Sequence, residues 1–278
     1  MVSVRRPPGE LFPYDSSSVD KSHFIALFKN IARERHRVEV WSDFITLGAI
    51  ALNFPLSKCP KRGQEYLTIM EKYDDNGKQQ LCELFDMLTY LLEPEPADIL
   101  GQLYMELEIS SKGLGQYFTP GCVSELMAGI VHGEELENLD KPFITLQEPA
   151  CGSGGMILAF VKVMISKGHN PADKLWVSAI DISRDAVLMT YIQGSLWGIP
   201  MEVIVGNTLT LELRESWLTP VHYLHKWDEK LELQRTFEAM MSLFREESPR
   251  KKKKVQPELP RASGKDTLGN QVEFDFRL

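Results

Sequence analysis

From Phe143 to Val205 the chain alternates short β-like runs with apolar helices, and this alternation restricts the fold more than any other feature. Phe143-Ile144-Thr145-Leu146 leads through a Gly-rich turn to an apolar helix over residues 156–166. A second strand over 175–180 ends on Asp181, and a helix over 184–196 leads to a third strand over 201–205. Strand, helix, strand, helix, strand predicts a parallel sheet joined by right-handed crossovers. The expected class is therefore α/β, with a Rossmann-like sheet.

What precedes the sheet reads differently. Residues 1–18 carry Pro7, Pro8, Gly9 and Pro13 and read as an extended arm. From Val19 onward apolar residues recur at three- and four-residue steps, predicting helices near 19–31, 41–52 (ending near Pro55), 64–72 and 78–92. Residues 19–96 are thus expected to form an N-terminal helical bundle. Residues 97–247 would form the sheet-bearing domain, opened by helices over 97–109 and 123–131 and closed by one over 228–244.

Three strings lie where a strand meets a helix or turn. Glu148-Pro149-Ala150-Cys151-Gly152-Ser153-Gly154-Gly155 follows the first strand. Its glycines permit a sharp turn and close ligand approach, and the next helix offers unpaired N–H groups to an anionic end. No Gly-Lys-Ser/Thr follows, so this is not a phosphate-cradling P-loop. Asp181, 27 residues after Gly154, stands where a carboxylate can accept from ribose hydroxyls; a turn or cap role is the alternative, with Ser183 competing for the cap. Asn207, in Gly206-Asn207-Thr208-Leu209, can address an adenine edge or simply form a turn. Upstream, Gly115-Gln116-Tyr117-Phe118-Thr119-Pro120 precedes a helix that Thr119 is placed to cap, and Phe118 reads as core or as a pocket wall.

This combination, with Thr119 and Cys151 separated by 32 residues, resembles the adenine-N6 DNA methyltransferases of type I restriction-modification systems and the related N-6 DNA methylases. The resemblance covers residues 97–210 and implies an abbreviated S-adenosylmethionine-dependent methyltransferase sheet. It implies that Tyr117, Phe118, Thr119 and Pro120 hold the methionine end of the cofactor, with Glu148, Pro149, Cys151, Gly152 and Gly154 forming the loop around it. Asp181 would take the ribose, and Asn207 would lie near the adenine, where the family more usually has Asp.

Methylating adenine within DNA requires a flipped base, an aromatic surface to stack on it, and acceptors for its amine. The family supplies these with an Asn/Asp-Pro-Pro-aromatic segment after a fourth strand. The Pro-Pro pair of this chain is Pro7-Pro8, far from the sheet. The stretch after Leu209 is polar over Glu212 to Glu215, then reads Trp217-Leu218-Thr219-Pro220-Val221-His222-Tyr223. Tyr223 and Trp217 are the candidate stacking residues, each with packing as its alternative, and Tyr223 and Asn207 are the catalytic candidates. The parallel sheet is expected to have an exposed edge, covered by the N-terminal helices, a partner subunit or a second copy.

Charge divides the chain. The net −8 combines −12 over residues 1–247 with +4 over 248–278. Arg250, Lys251, Lys252, Lys253 and Lys254 are candidate DNA-phosphate contacts, the alternative being a solvated charge run. Gln271-Val272-Glu273-Phe274-Asp275-Phe276 resembles peptides that dock on the bacterial sliding clamp, or is a short strand. The four cysteines form no CxxC pair or Cys/His ligand ladder, so no metal is expected. No membrane partner is expected either, and a reducing cytoplasm fits best. Two functions follow: an adenine-N6 DNA methyltransferase of low sequence specificity, or a cofactor-binding, catalytically silent subunit or regulator in DNA modification or anti-restriction. A small-molecule or RNA methyltransferase is the third.

Overall fold

The computed structural model describes residues 20–109, 118–137 and 139–246. Four helices come first: α1 (Lys21–Asn30), α2 (Arg37–Ser57), α3 (Pro60–Met70) and α4 (Asp75–Leu92). Asp20 caps α1 and Asp74 caps α4 through their carboxylates, satisfying first-turn N–H groups. Helix α2 passes through Pro55 rather than ending there. Proline in the last turn removes one N–H, but Ser57 still completes the helix, and left-handed Lys58 closes it by donating its N–H to the Phe54 carbonyl. By length and composition α2 could cross a membrane, yet 61% of its most apolar window is buried within the protein.

Helix α5 (Ile99–Glu106) and α6 (Gly121–Glu137) lead into the alternation predicted from sequence: β1 (Ile144–Glu148), α7 (Gly155–Ser166), the short α8 (Pro171–Lys174), β2 (Leu175–Asp181), α9 (Arg184–Leu196) and β3 (Met201–Asn207). β1, β2 and β3 are parallel neighbours in that order. The polar stretch after Leu209 forms a strand. β4 (Glu212–Leu218) runs antiparallel to β3, with a bulge at Val205/Gly206, and covers that edge of the sheet. Helices α10 (Pro220–Leu224) and α11 (Trp227–Glu246) follow.

One continuous core joins the helices to the sheet. Val177, Ala179, Val203 and Val205 share it with Leu158 and Val161 of α7, with Val187, Leu188 and Ile192 of α9, and with Trp41, Phe44 and Leu88 of the helical segment. Polar contacts cross the same boundary: Asn53 Nδ2 donates to Tyr191 Oη and to the Leu218 carbonyl, both at 3.2 Å. On the other face of β2, Trp176 stacks with Trp227, and Phe143 meets Trp227 edge-on. Among the described residues, β1 has no neighbour on its outer side. Helix α6 packs against α7 with Ser124 and Ala128 buried, while Val123, Leu126, Met127 and Ile130 are exposed. From Leu233 onward α11 belongs to a separate unit, in which Leu233, Phe237, Met240 and Met241 are exposed.

Candidate functional site

The Gly-rich turn lies at the C-terminal ends of the parallel strands, where ligands of open α/β sheets bind. Two residues of the turn take backbone conformations that glycine favours: Gly152 at φ +54° and Gly154 at φ +95°. The turn is fastened to its neighbours at several points. Cys151 N–H donates to the Ile180 carbonyl at 2.9 Å, and Gly152 N–H donates to Asp181 Oδ2 at 2.9 Å. Thr190 Oγ1 of α9 donates to the Gly152 carbonyl at 2.9 Å, and Thr208 Oγ1 donates to the Pro149 carbonyl at 2.6 Å. A left-handed Gly154 precedes α7, and no side chain caps that helix, so its first amides remain open to a ligand.

Asp181 ends β2 and accepts one backbone hydrogen bond on each oxygen, from Gly152 on Oδ2 and from Ser183 on Oδ1 at 2.9 Å. Each oxygen keeps a further lone pair for a ligand hydroxyl. Ser183 itself caps α9, and the bond from its N–H gives Asp181 the turn role weighed for it as well. Glu148, at the end of β1, is half-buried; burial pushes its carboxyl above the usual range, and the nearby Asp181 charge adds to that. Cys151 lies between them, buried, with its thiol pushed up to about 12, mainly by desolvation. It is a packing residue rather than a nucleophile.

Phe118 stands against the turn: a side chain on Gly152 would meet its ring at 3.1 Å. The ring is held edge-on by Tyr104 of α5, with centroids 5.4 Å apart. Thr119 and Pro120 are exposed just before α6. The expected Thr119 cap is not among the described hydrogen bonds. The Pro120 carbonyl serves that end instead, accepting from Val123 and Ser124. Asn207 also reaches the site, at the C-terminal end of β3, and spends its Oδ1 on the Leu209 and Thr210 amides, the turn role weighed for it.

The structure does not bring the base-stacking candidates to the site. β4 is antiparallel, so the chain leaves it at the opposite end of the sheet, where Thr219 N–H donates to the Met201 carbonyl. Tyr223, four residues on in α10, therefore follows the end of the sheet away from the glycine turn. Trp217 is fully buried, with the Arg62 guanidinium 3.6 Å above its ring. Tyr117, the basic run Arg250 to Lys254 and the segment Gln271 to Phe276 lie outside the described residues.

Sequence reasoning missed three contributors. Ile182, directly after Asp181 at the end of β2, leaves an apolar side chain 62% exposed. Gln193 is fully buried on α9 and donates to the Ser153 carbonyl at 2.7 Å. Asp98, the cap of α5, also reaches Ser153. An aspartate just before an apolar run was a legible cap signal, but the contact to a loop 55 residues on was not.

Residues 96–242 match the N-6 DNA Methylase family. The chain belongs to that family. No curated protein matches this N-6 DNA methylase. Among solved structures it is similar to a Listeria monocytogenes protein described as a class I S-adenosylmethionine-dependent methyltransferase, with 14% identity and a TM-score of 0.41 over 66% of this chain and 52% of that one. It is also similar to the methyltransferase subunit of a Streptococcus thermophilus type I restriction-modification system, with 18% identity and a TM-score of 0.33 over 64% of this chain and 36% of that one. The methylase thus spans about half the length of the first and about a third of the second.

Proposed function

We propose that this chain is the S-adenosylmethionine-binding part of a DNA adenine-N6 methyltransferase of low sequence specificity. One observation carries the reading: the glycine turn and Asp181 are hydrogen-bonded into a single unit through Gly152, at the strand ends. The residues present suit the cofactor. Two neighbouring carboxylates, Glu148 and Asp181, favour a ligand bearing positive charge, as the ammonium and sulfonium groups of S-adenosylmethionine do. The open amides at the start of α7 suit its carboxylate, Asp181 suits the ribose, and Ile182 and Asn207 suit the adenine. When bound, the cofactor supplies an electrophilic methyl group. The chain's own residues orient it: the turn holds the amino-acid end, and Phe118 limits solvent access beside Gly152.

A second reading has an observation of its own: Tyr223 and Trp217 stand away from the turn, so on its own this chain holds cofactor without transferring methyl groups. Target-base residues would then come from a partner subunit, and the basic run Arg250 to Lys254 would supply DNA-phosphate contacts to an acidic body. Titration calorimetry with S-adenosylmethionine, followed by methyl-label transfer to unmethylated DNA, tests both. Micromolar binding with label on adenine N6 supports the enzyme, and binding without transfer supports the silent subunit. Absence of binding overturns both.

A further inference from the structure

We propose that Asp98 is a positioning residue for the amino-acid end of the cofactor site, acting through Ser153. The inference rests on the cofactor reading above and goes beyond it. Asp98 is 8% exposed and receives only donors. Its Oδ1 accepts from Gly101 N–H at 2.8 Å and from Gln193 Nε2 at 3.0 Å, and its Oδ2 accepts from Ser153 Oγ at 2.5 Å. An all-donor surround is what an acceptor-only carboxylate requires.

The space for this carboxylate depends on two glycines. A methyl group on Gly101 would come within 2.2 Å of Asp98 Oδ2 and 2.4 Å of Ser153 Oγ, and one on Gly155 would come within 3.3 Å of the same Oδ2. One glycine of the sequence motif therefore makes room for a side chain from α5 as well as shaping the turn.

Ser153 is the residue between the two left-handed glycines, and its neighbours leave the turn backbone many alternatives. It is held twice. Its hydroxyl is bound by Asp98, and its carbonyl is bound by Gln193, which Asp98 orients in turn. Gln193 Oε1 returns to α5 by accepting from Leu100 N–H at 3.0 Å. The far end of α5 bounds the same turn, because Tyr104 holds Phe118 against Gly152. The conformation of the glycine turn is thus set from α5, and Asp98 is the group through which that control is exerted.

The test separates positioning from general damage by comparing two ligands. S-adenosylmethionine engages the turn with its amino-acid end, whereas 5′-methylthioadenosine keeps the nucleoside and the sulfur but lacks that end. In the full chain, Asp98→Ala and Ser153→Ala are expected to raise the Kd of S-adenosylmethionine at least tenfold and to leave that of 5′-methylthioadenosine within about threefold. Asp98→Asn keeps the acceptor for Gly101 and Gln193 and can donate to a rotated Ser153 hydroxyl, so it should restore the affinity. The double variant should lose no more than either single one. Wild-type affinity in Ser153→Ala, or an equal loss for both ligands, overturns the proposal. Failure of the wild-type chain to bind either ligand instead overturns the cofactor reading on which it rests.

Discussion

Gly154→Ala puts the geometry of the turn to a quantitative test. At φ +95° an alanine carries a left-handed penalty of about 1–2 kcal/mol. Its new methyl group would also stand 3.1 Å from Thr190 Oγ1 and 3.4 Å from Thr190 Cα. The hydroxyl cannot swing away without breaking its bond to the Gly152 carbonyl, and the Cα is backbone, so overpacking adds about 1–2 kcal/mol more. The expected loss is about 2–4 kcal/mol, or a fall in Tm on the order of 10 °C for a protein of this size. The matched control is Gly129→Ala, in α6, where a new methyl group meets nothing within 4 Å. That change should stabilise the chain by about 0.5–1 kcal/mol through helix propensity alone. Urea unfolding with both variants reads the two signs. A Gly154→Ala protein within about 0.5 kcal/mol of wild type, the range of ordinary surface substitutions, would refute the assignment of left-handed strain and of Thr190 as an unyielding neighbour.

Further perturbations separate ligand binding from fold and site from scaffold. Asp181→Ala removes the acceptor for Gly152 and Ser183 N–H and should abolish S-adenosylmethionine binding by calorimetry; retained micromolar affinity would contradict its role. Tyr223→Phe should leave cofactor binding and any methyl transfer unchanged, since α10 starts at the far end of the sheet; a loss of transfer alone would return Tyr223 to the site. In the native chain Cys151 should resist iodoacetamide while exposed Cys82 and Cys122 react, as read by peptide mass spectrometry. Its folded thiol titrates at about 12 against about 8.5 unfolded. The stability it contributes is therefore complete below about pH 8.5 and is lost as pH rises towards 12, and Cys151→Ala should flatten that part of the alkaline unfolding curve.

The parallel half of the fold was legible because its signals are local. Apolar runs that end on Glu148 and Asp181, separated by apolar helices, specify crossovers with little ambiguity, and α9 spans the residues its periodicity indicates. β4 was not legible. Glu212, Arg214 and Glu215 are charged, and an antiparallel edge strand with a largely exposed surface has no need of the apolar run that marked β1, β2 and β3. The same strand displaced Tyr223, because sequence proximity to Asn207 says nothing about which end of the sheet the chain leaves. Asp98 and Gln193 escaped notice for a related reason: one reads as an ordinary helix cap and the other as an ordinary helical polar residue until tertiary packing brings α5, α9 and Ser153 together.

The outer side of β1 gives the sheet a direction for growth. A strand added there in parallel would bring its C-terminal end level with Glu148, so that its following loop emerges beside the glycine turn. An antiparallel strand would place only its first residues at that level and send its loop to the opposite end, as β4 does on the other flank. Polarity at this one border thus distinguishes an addition that enlarges the ligand site from one that merely closes the sheet, and the exposed apolar row on α6 adds a surface against which either would be measured.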